Sequence, residues 1–145
     1  DQGCKETTMR AIHKIIIHCT ATREGDDISV DTIRRWHLAR GWSDIGYHYV
    51  IDIKGNINAG RPIELIGAHT KGQNKYSIGI AYVGGVEDDG KTPKDTRTKA
   101  QKDAIVRLVK KLKGCYPDLT IHGHNEFSNK ACPSYNVQNE KDLFG

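Results

Sequence analysis

The sequence predicts a single-domain α/β protein, with a central, mostly buried mixed β-sheet flanked by helices. Three observations predict it. The run Ile15-Ile16-Ile17 is continuous, apolar and β-branched, which suits a strand buried on both faces. Ser77 to Val83 has a similar character. Segments with apolar residues at helical spacing alternate with these runs, and that alternation is the pattern of an α/β fold. A chain of 145 residues can bury one core but not two independent ones. Residues 1–12 are read as an N-terminal extension and 13–145 as the single domain.

Lys14 to His18 is the first strand, and its unbroken apolar run makes it a central one. Ser29 or Asp31 can cap a helix running to about Arg40, with Ile33, Trp36 and His37 on one side and Gly41 as terminator. His37 then has a packing role. Tyr47 to Ile53, the turn residues Lys54-Gly55-Asn56 and Ile57 to Ala59 form a β-hairpin. After the buried strand at Ser77–Val83, the Gly-, Asp- and Lys-rich stretch Gly84 to Lys94 reads as a surface loop. Thr98 and Gln101 have capping-box spacing, Ala104, Ile105, Leu108, Val109 and Leu112 form a helical stripe, and Gly114 closes that helix before Pro117. Leu119 to His122 makes a last short strand.

The formal charge of +4 is dispersed, and the densest group, Lys110-Lys111-Lys113, lies on a helix with acidic neighbours. It favours anionic surfaces such as the bacterial cell wall, but it gives no sign of a nucleic-acid partner. No apolar run approaches the roughly 18 to 20 residues of a membrane span. No charged segment followed by an apolar stretch opens the chain, so a signal peptide is expected to be absent or already removed. No oligomerisation signal is present, so a monomer is the expectation.

The densest chemistry lies in His122-Gly123-His124-Asn125-Glu126-Phe127-Ser128-Asn129-Lys130-Ala131-Cys132-Pro133-Ser134, paired with His18 at the end of the first strand. Two imidazoles and a thiolate suit Zn²⁺, and three protein ligands leave the open position of a catalytic site. His122 and His124 are i and i+2, so a continuing strand would present both to one face and either could be the ligand. Pro133 biases Cys132 towards extended backbone, and Lys130 puts a cation beside the thiol that favours its thiolate form. If Cys132 binds metal, Cys4, Cys19 and Cys115 remain, an odd number that cannot all pair internally. Cys19 is expected to point away from the site as buried filler, and nothing in the sequence turns Glu126 towards it.

Several stretches, taken in order, carry a family resemblance: His18-Cys19-Thr20-Ala21-Thr22, Ile33-Arg34-Arg35-Trp36-His37, Gly41-Trp42, Gly46-Tyr47-His48-Tyr49, Gly67-Ala68-His69, Asn74 with Ser77-Ile78-Gly79-Ile80, Val83-Gly84-Gly85-Val86-Glu87-Asp88, and Lys130-Ala131-Cys132-Pro133-Ser134. Over roughly residues 13 to 137 the chain resembles the zinc-dependent N-acetylmuramoyl-L-alanine amidases of the type 2 amidase and peptidoglycan-recognition superfamily, in particular the small lysozyme-named amidases of T-odd coliphages. The resemblance implies that superfamily's fold, one Zn²⁺ per chain and peptidoglycan as substrate. The implied reaction is hydrolysis of the amide joining the lactyl group of N-acetylmuramic acid to the L-alanine of the stem peptide. Matched position by position, the metal ligands fall on His18, His124 and Cys132, and the catalytic positions on Tyr47 and Lys130. Asn125 departs from the pattern, standing where close phage relatives have a histidine.

Amide hydrolysis needs a nucleophile at neutral pH and support for a tetrahedral oxyanion, and a zinc ion can supply the first and share the second. Lys130 is the expected donor to the oxyanion. Tyr47 is expected to position water and support the oxyanion, since an ordinary phenol is a poor base at neutral pH. His69 and Asn74 lie where the matched loops border the site and are candidate substrate contacts or supports for the ligands. Two alternatives come from other functional classes: a non-catalytic peptidoglycan-binding module and a regulator of an intracellular partner.

Overall fold

The computed structural model describes residues 10–145. Cys4 and the first nine residues of the expected extension lie outside the described residues. Seven strands and two α-helices follow the predicted alternation: β1 (Lys14–Cys19), β2 (Thr22–Arg23), α1 (Val30–Ala39), β3 (Tyr49–Ile51), β4 (Ile57–Ala59), β5 (Ser77–Tyr82), β6 (Gly85–Val86), α2 (Lys99–Cys115) and β7 (Thr120–Gly123). The main sheet has the order β4-β3-β5-β1-β7, with β4 antiparallel to β3 and every other pairing parallel. It is a mixed sheet with β1 inside it. No helix among the described residues is long and apolar enough to cross a membrane.

Strand alternation sorts the side chains into two layers. Ile15, Ile17 and Cys19 of β1 align in register with Ile78, Ile80 and Tyr82 of β5, and all six join one apolar cluster with Ala104, Ile105, Leu108, Val109 and Leu112 of α2. A smaller cluster of Ile33 from α1, Ile45, Val50 and Val83 forms separately. His18 is out of phase with Ile15, Ile17 and Cys19, so it stands on the face of β1 opposite α2. Ser29 caps α1 by accepting the Thr32 N–H at 3.1 Å, which decides between the two predicted caps. His37 does pack: it is buried, and its Nδ1 accepts the Gly46 N–H at 2.9 Å.

The structure corrects two expectations. Gly84–Lys94 is not wholly surface loop, because Gly84, Gly85 and Val86 are buried and β6 pairs in parallel with β2. The glycine there serves close approach rather than exposure, since a Cβ on Gly85 would lie 2.4 Å from the Cys19 Sγ. Gly114 does not stop α2, which continues to Cys115 and ends as the Tyr116 N–H bonds to the Leu112 carbonyl. The predicted capping box is present, with Thr98 and Gln101 each accepting the other's backbone N–H. Cys19 and Cys132 are free thiols, and Cys115 is disulfide-bonded.

Candidate metal centre

β7 is shorter than β1, and that mismatch makes the site. β1 pairs with β7 only from Lys14 to Ile17, so His18 and Cys19 run past the last residue of β7. The backbone N–H of Cys19 donates instead to the Cys132 Sγ at 3.1 Å. The Cys132 sulfur is also 3.8 Å from the His18 Nδ1. At the end of β7 the chain turns into a short 3-10 helix, His124–Glu126, which brings the His124 ring to 4.6 Å from that of His18. One candidate ligand atom from each of His18, His124 and Cys132 lies within 4.8 Å of the others. The site thus sits at the carboxyl ends of adjacent parallel strands, where α/β sheets hold their ligands.

Burial and the charge of Lys130 hold both imidazoles in the neutral form that coordination requires. Burial, then the neighbouring His69 and His124, then Lys130, push His18 well below its ordinary value, and burial followed by Lys130 lowers His124. The His124 Nδ1 is the one buried side-chain nitrogen or oxygen among the described residues with no hydrogen-bond partner. The hydrogen bond shared with the Cys19 thiol, and then burial, raise the Cys132 thiol. A coordinated cation reverses that balance, because it holds a thiol as the thiolate. Two neutral imidazoles, one of them with a buried and unpartnered nitrogen, and one sulfur make a three-ligand donor set that fits an open zinc site.

The neighbouring histidine takes no part. His122 bonds through Nδ1 to Glu126 at 2.9 Å and through Nε2 to Thr120 Oγ1 at 2.8 Å. The assumption of a continuing strand fails because the backbone leaves the sheet at Gly123. Glu126 is no base for the site either, because its carboxylate accepts from the Gly123 N–H, His122 and Gln138. Cys19 does more than fill space: its backbone N–H meets the Cys132 sulfur at 3.1 Å, and its own thiol lies 3.9 Å from the Ser134 Oγ of the same loop. Sequence alternation gave the direction of its side chain but carried no signal for a loop 113 residues away.

Tyr47 packs its ring 5.2 Å from His18 and 5.5 Å from His37. Burial, followed by the charges of Cys132 and Cys19, pushes its phenol above the ordinary value, so at neutral pH it is a proton donor. Lys130 is exposed and lines a groove of about 500 Å³ with Trp42, Lys71, His124 and Phe127. His69 and Asn74 border the same groove. The Asn74 Oδ1 accepts the backbone N–H of both His69 and Thr70, at 3.0 and 2.9 Å, so its carbonyl shapes that loop. The His69 Nδ1 lies 2.8 Å from the His18 Nε2, on the side of the ring away from Cys132. Trp42 and Phe127, both half-buried, are groove walls to which sequence reasoning assigned no role, since a lone aromatic in a loop carries no spacing signal.

Comparison with known proteins places the chain in a family. A family model described as N-acetylmuramoyl-L-alanine amidase matches residues 8–135. The endolysin of Enterobacteria phage K11 is 37% identical over 132 residues, covering 91% of this chain and 87% of the relative. That of Escherichia phage T7 is 39% identical over 124 residues, covering 86% and 82%. Among solved structures, the endolysin N-acetylmuramoyl-L-alanine amidase LysCS from Clostridium intestinale superposes with a TM-score of 0.79 at 27% identity, covering 92% of this chain and 83% of its own.

Proposed function

This chain belongs to the N-acetylmuramoyl-L-alanine amidase family, and on that premise we propose that it hydrolyses the amide between the lactyl group of N-acetylmuramic acid and L-alanine of the stem peptide, with one zinc ion held by His18, His124 and Cys132. It is a peptidoglycan amidase by family. The observation that carries the metal reading is the convergence of two neutral imidazoles and a thiol, one imidazole nitrogen being buried and unpartnered, beside an open groove.

When bound, a zinc ion supplies Lewis acidity at an open coordination position. The remaining work falls to the chain. Lys130, on the groove rim and close enough to depress both imidazoles, offers a charge-assisted donor to the oxyanion that develops on the scissile carbonyl. Tyr47 keeps its proton and orients water or supports the same oxyanion through its hydroxyl. The groove walls hold the glycopeptide so that its amide meets these groups, and positioning of that kind removes entropy from the barrier.

The test is amide cleavage of purified peptidoglycan by zinc-loaded wild type beside Cys132→Ala, with new L-alanine amino termini detected by mass spectrometry. Release by wild type and none by the variant is the expected result. Muropeptide binding without release by either protein would replace the amidase reading with that of a recognition module. Equal release by both would remove Cys132 from the mechanism.

A further inference from the structure

The second nitrogen of His18 has a partner of its own. The Nδ1 faces the Cys132 sulfur at 3.8 Å, whereas the Nε2 faces the His69 Nδ1 at 2.8 Å and the Thr70 Oγ1 at 3.2 Å. A ligating imidazole carries its proton on the nitrogen that does not coordinate, and a buried N–H without an acceptor is costly. His18 is 1% exposed, so no solvent route to its Nε2 replaces these two acceptors.

We propose that His69 is the positioning residue for this ligand, accepting the His18 Nε2 proton on its own Nδ1 and thereby leaving the His18 Nδ1 bare and turned towards the metal. This inference rests on the metal centre proposed above. His69 then carries its proton on Nε2, where the Ser77 Oγ lies 3.3 Å away as acceptor. The two rings meet edge to face, at 90° and 4.9 Å between centroids.

The surroundings hold His69 to that task. Asn74 fixes its backbone, and a Cβ on Gly79 would lie 2.6 Å from the His69 Cγ and Cδ2. A Cβ on Gly67 would approach the same ring to 2.8 Å. Gly79 itself is pinned, since its N–H donates to the His48 Nδ1 at 3.0 Å while the His48 Nε2 donates to the Leu65 carbonyl at 2.8 Å. Both glycines therefore leave the space that the His69 ring occupies.

Zinc affinity, measured by competition with a chromophoric chelator, separates positioning from mere packing. His69→Leu removes the nearer acceptor, leaving only the Thr70 Oγ1 at 3.2 Å, and should bind zinc about 10- to 100-fold more weakly. An Asn side chain places its Oδ1 near the position of the His Nδ1, so His69→Asn should restore most of the affinity. His69→Gln, whose carbonyl lies one bond further out, should not. Gly79→Ala, whose Cβ would crowd the His69 ring, should weaken binding as Leu does. Equal affinity in wild type and His69→Leu would overturn the proposal, whatever happens to thermal stability. Failure of the wild type itself to bind zinc would overturn the metal reading as well. Should the variants not fold, long-range ¹H–¹⁵N correlation spectra of zinc-loaded wild type give the answer directly. Protons on the Nε2 of both His18 and His69 support the proposal, and a proton on the His69 Nδ1 refutes it.

Discussion

At the residue scale, one side chain near the candidate ligands tests whether a group serves the reaction or the upkeep of the site. Lys130 is exposed and outside the ligand set, yet its charge reaches both imidazoles. Lys130→Ala should lower kcat by about 10²- to 10³-fold, the usual cost of one oxyanion donor. Zinc content, measured by atomic absorption, should stay at the wild-type level. A variant that loses zinc in step with activity would move Lys130 from the reaction to the upkeep of the site. The same scale shows where sequence reasoning was sufficient. His18, Lys130 and Cys132 stood out by residue type and context, but the choice of His124 over His122 came from family resemblance. Periodicity could not supply it, because the choice depends on β7 stopping at Gly123, one residue before His124. For His69 the sequence left two roles open, substrate contact or support for a ligand, because a histidine in a loop looks the same in sequence whether it contacts substrate or a second imidazole.

At the element scale, boundaries were legible where local chemistry sets them and illegible where distant chain does. The capping box of α2 was predicted from Thr98 and Gln101 alone and is present. What the spacing did not reveal is the other end of Gln101. Its Nε2 donates to the carbonyls of Ile51 and Val83, at 3.3 and 3.0 Å, and the residue is fully buried. One side chain thus joins the start of α2 to β3 and to the residue just past β5. Gln101→Leu keeps the volume but strands the Thr98 N–H and the buried Val83 carbonyl, whereas the Ile51 carbonyl keeps the Val83 N–H. It should destabilise the protein by on the order of 2–3 kcal/mol, since each unmet buried group costs roughly 1–3 kcal/mol and some relaxation is expected. Thr98→Ala should cost only about 1 kcal/mol, as loss of a cap does. Urea denaturation with an unchanged m-value is the measurement, and equal losses in the two variants would reduce Gln101 to a capping residue. The glycines at 84 and 85 teach the complementary lesson. Composition marked them as loop, but contact with Cys19 and Thr96 is what requires them, and such long-range contacts have no local signature.

At the scale of the whole molecule, the question is whether the metal builds the fold or only uses it. The main apolar cluster lies between the sheet and α2, on the face away from His18, and of the three candidate ligands Cys132 packs against it. The loop bearing Cys132 is held by other means. Tyr82 donates to the Pro133 carbonyl at 2.7 Å, Ser134 to the Gly85 carbonyl at 2.8 Å, and Asn125 to the Tyr135 carbonyl at 3.2 Å. Behind it the Arg97 side chain, 2% exposed, pairs with Asp95 and Glu140 and lies 3.4 Å from the centre of the Tyr135 ring. The loop bearing Cys132 is therefore positioned by contacts that do not pass through a cation, unlike a small zinc-dependent domain whose folding free energy is its binding free energy. Chelation should abolish amide cleavage while leaving the far-UV circular dichroism spectrum native. The melting temperature should fall only by the amount that ligand linkage predicts from the zinc concentration and its dissociation constant, and zinc should restore both it and activity. Collapse of the spectrum on chelation would make the metal structural, and cleavage that survives complete zinc removal would exclude it from the reaction.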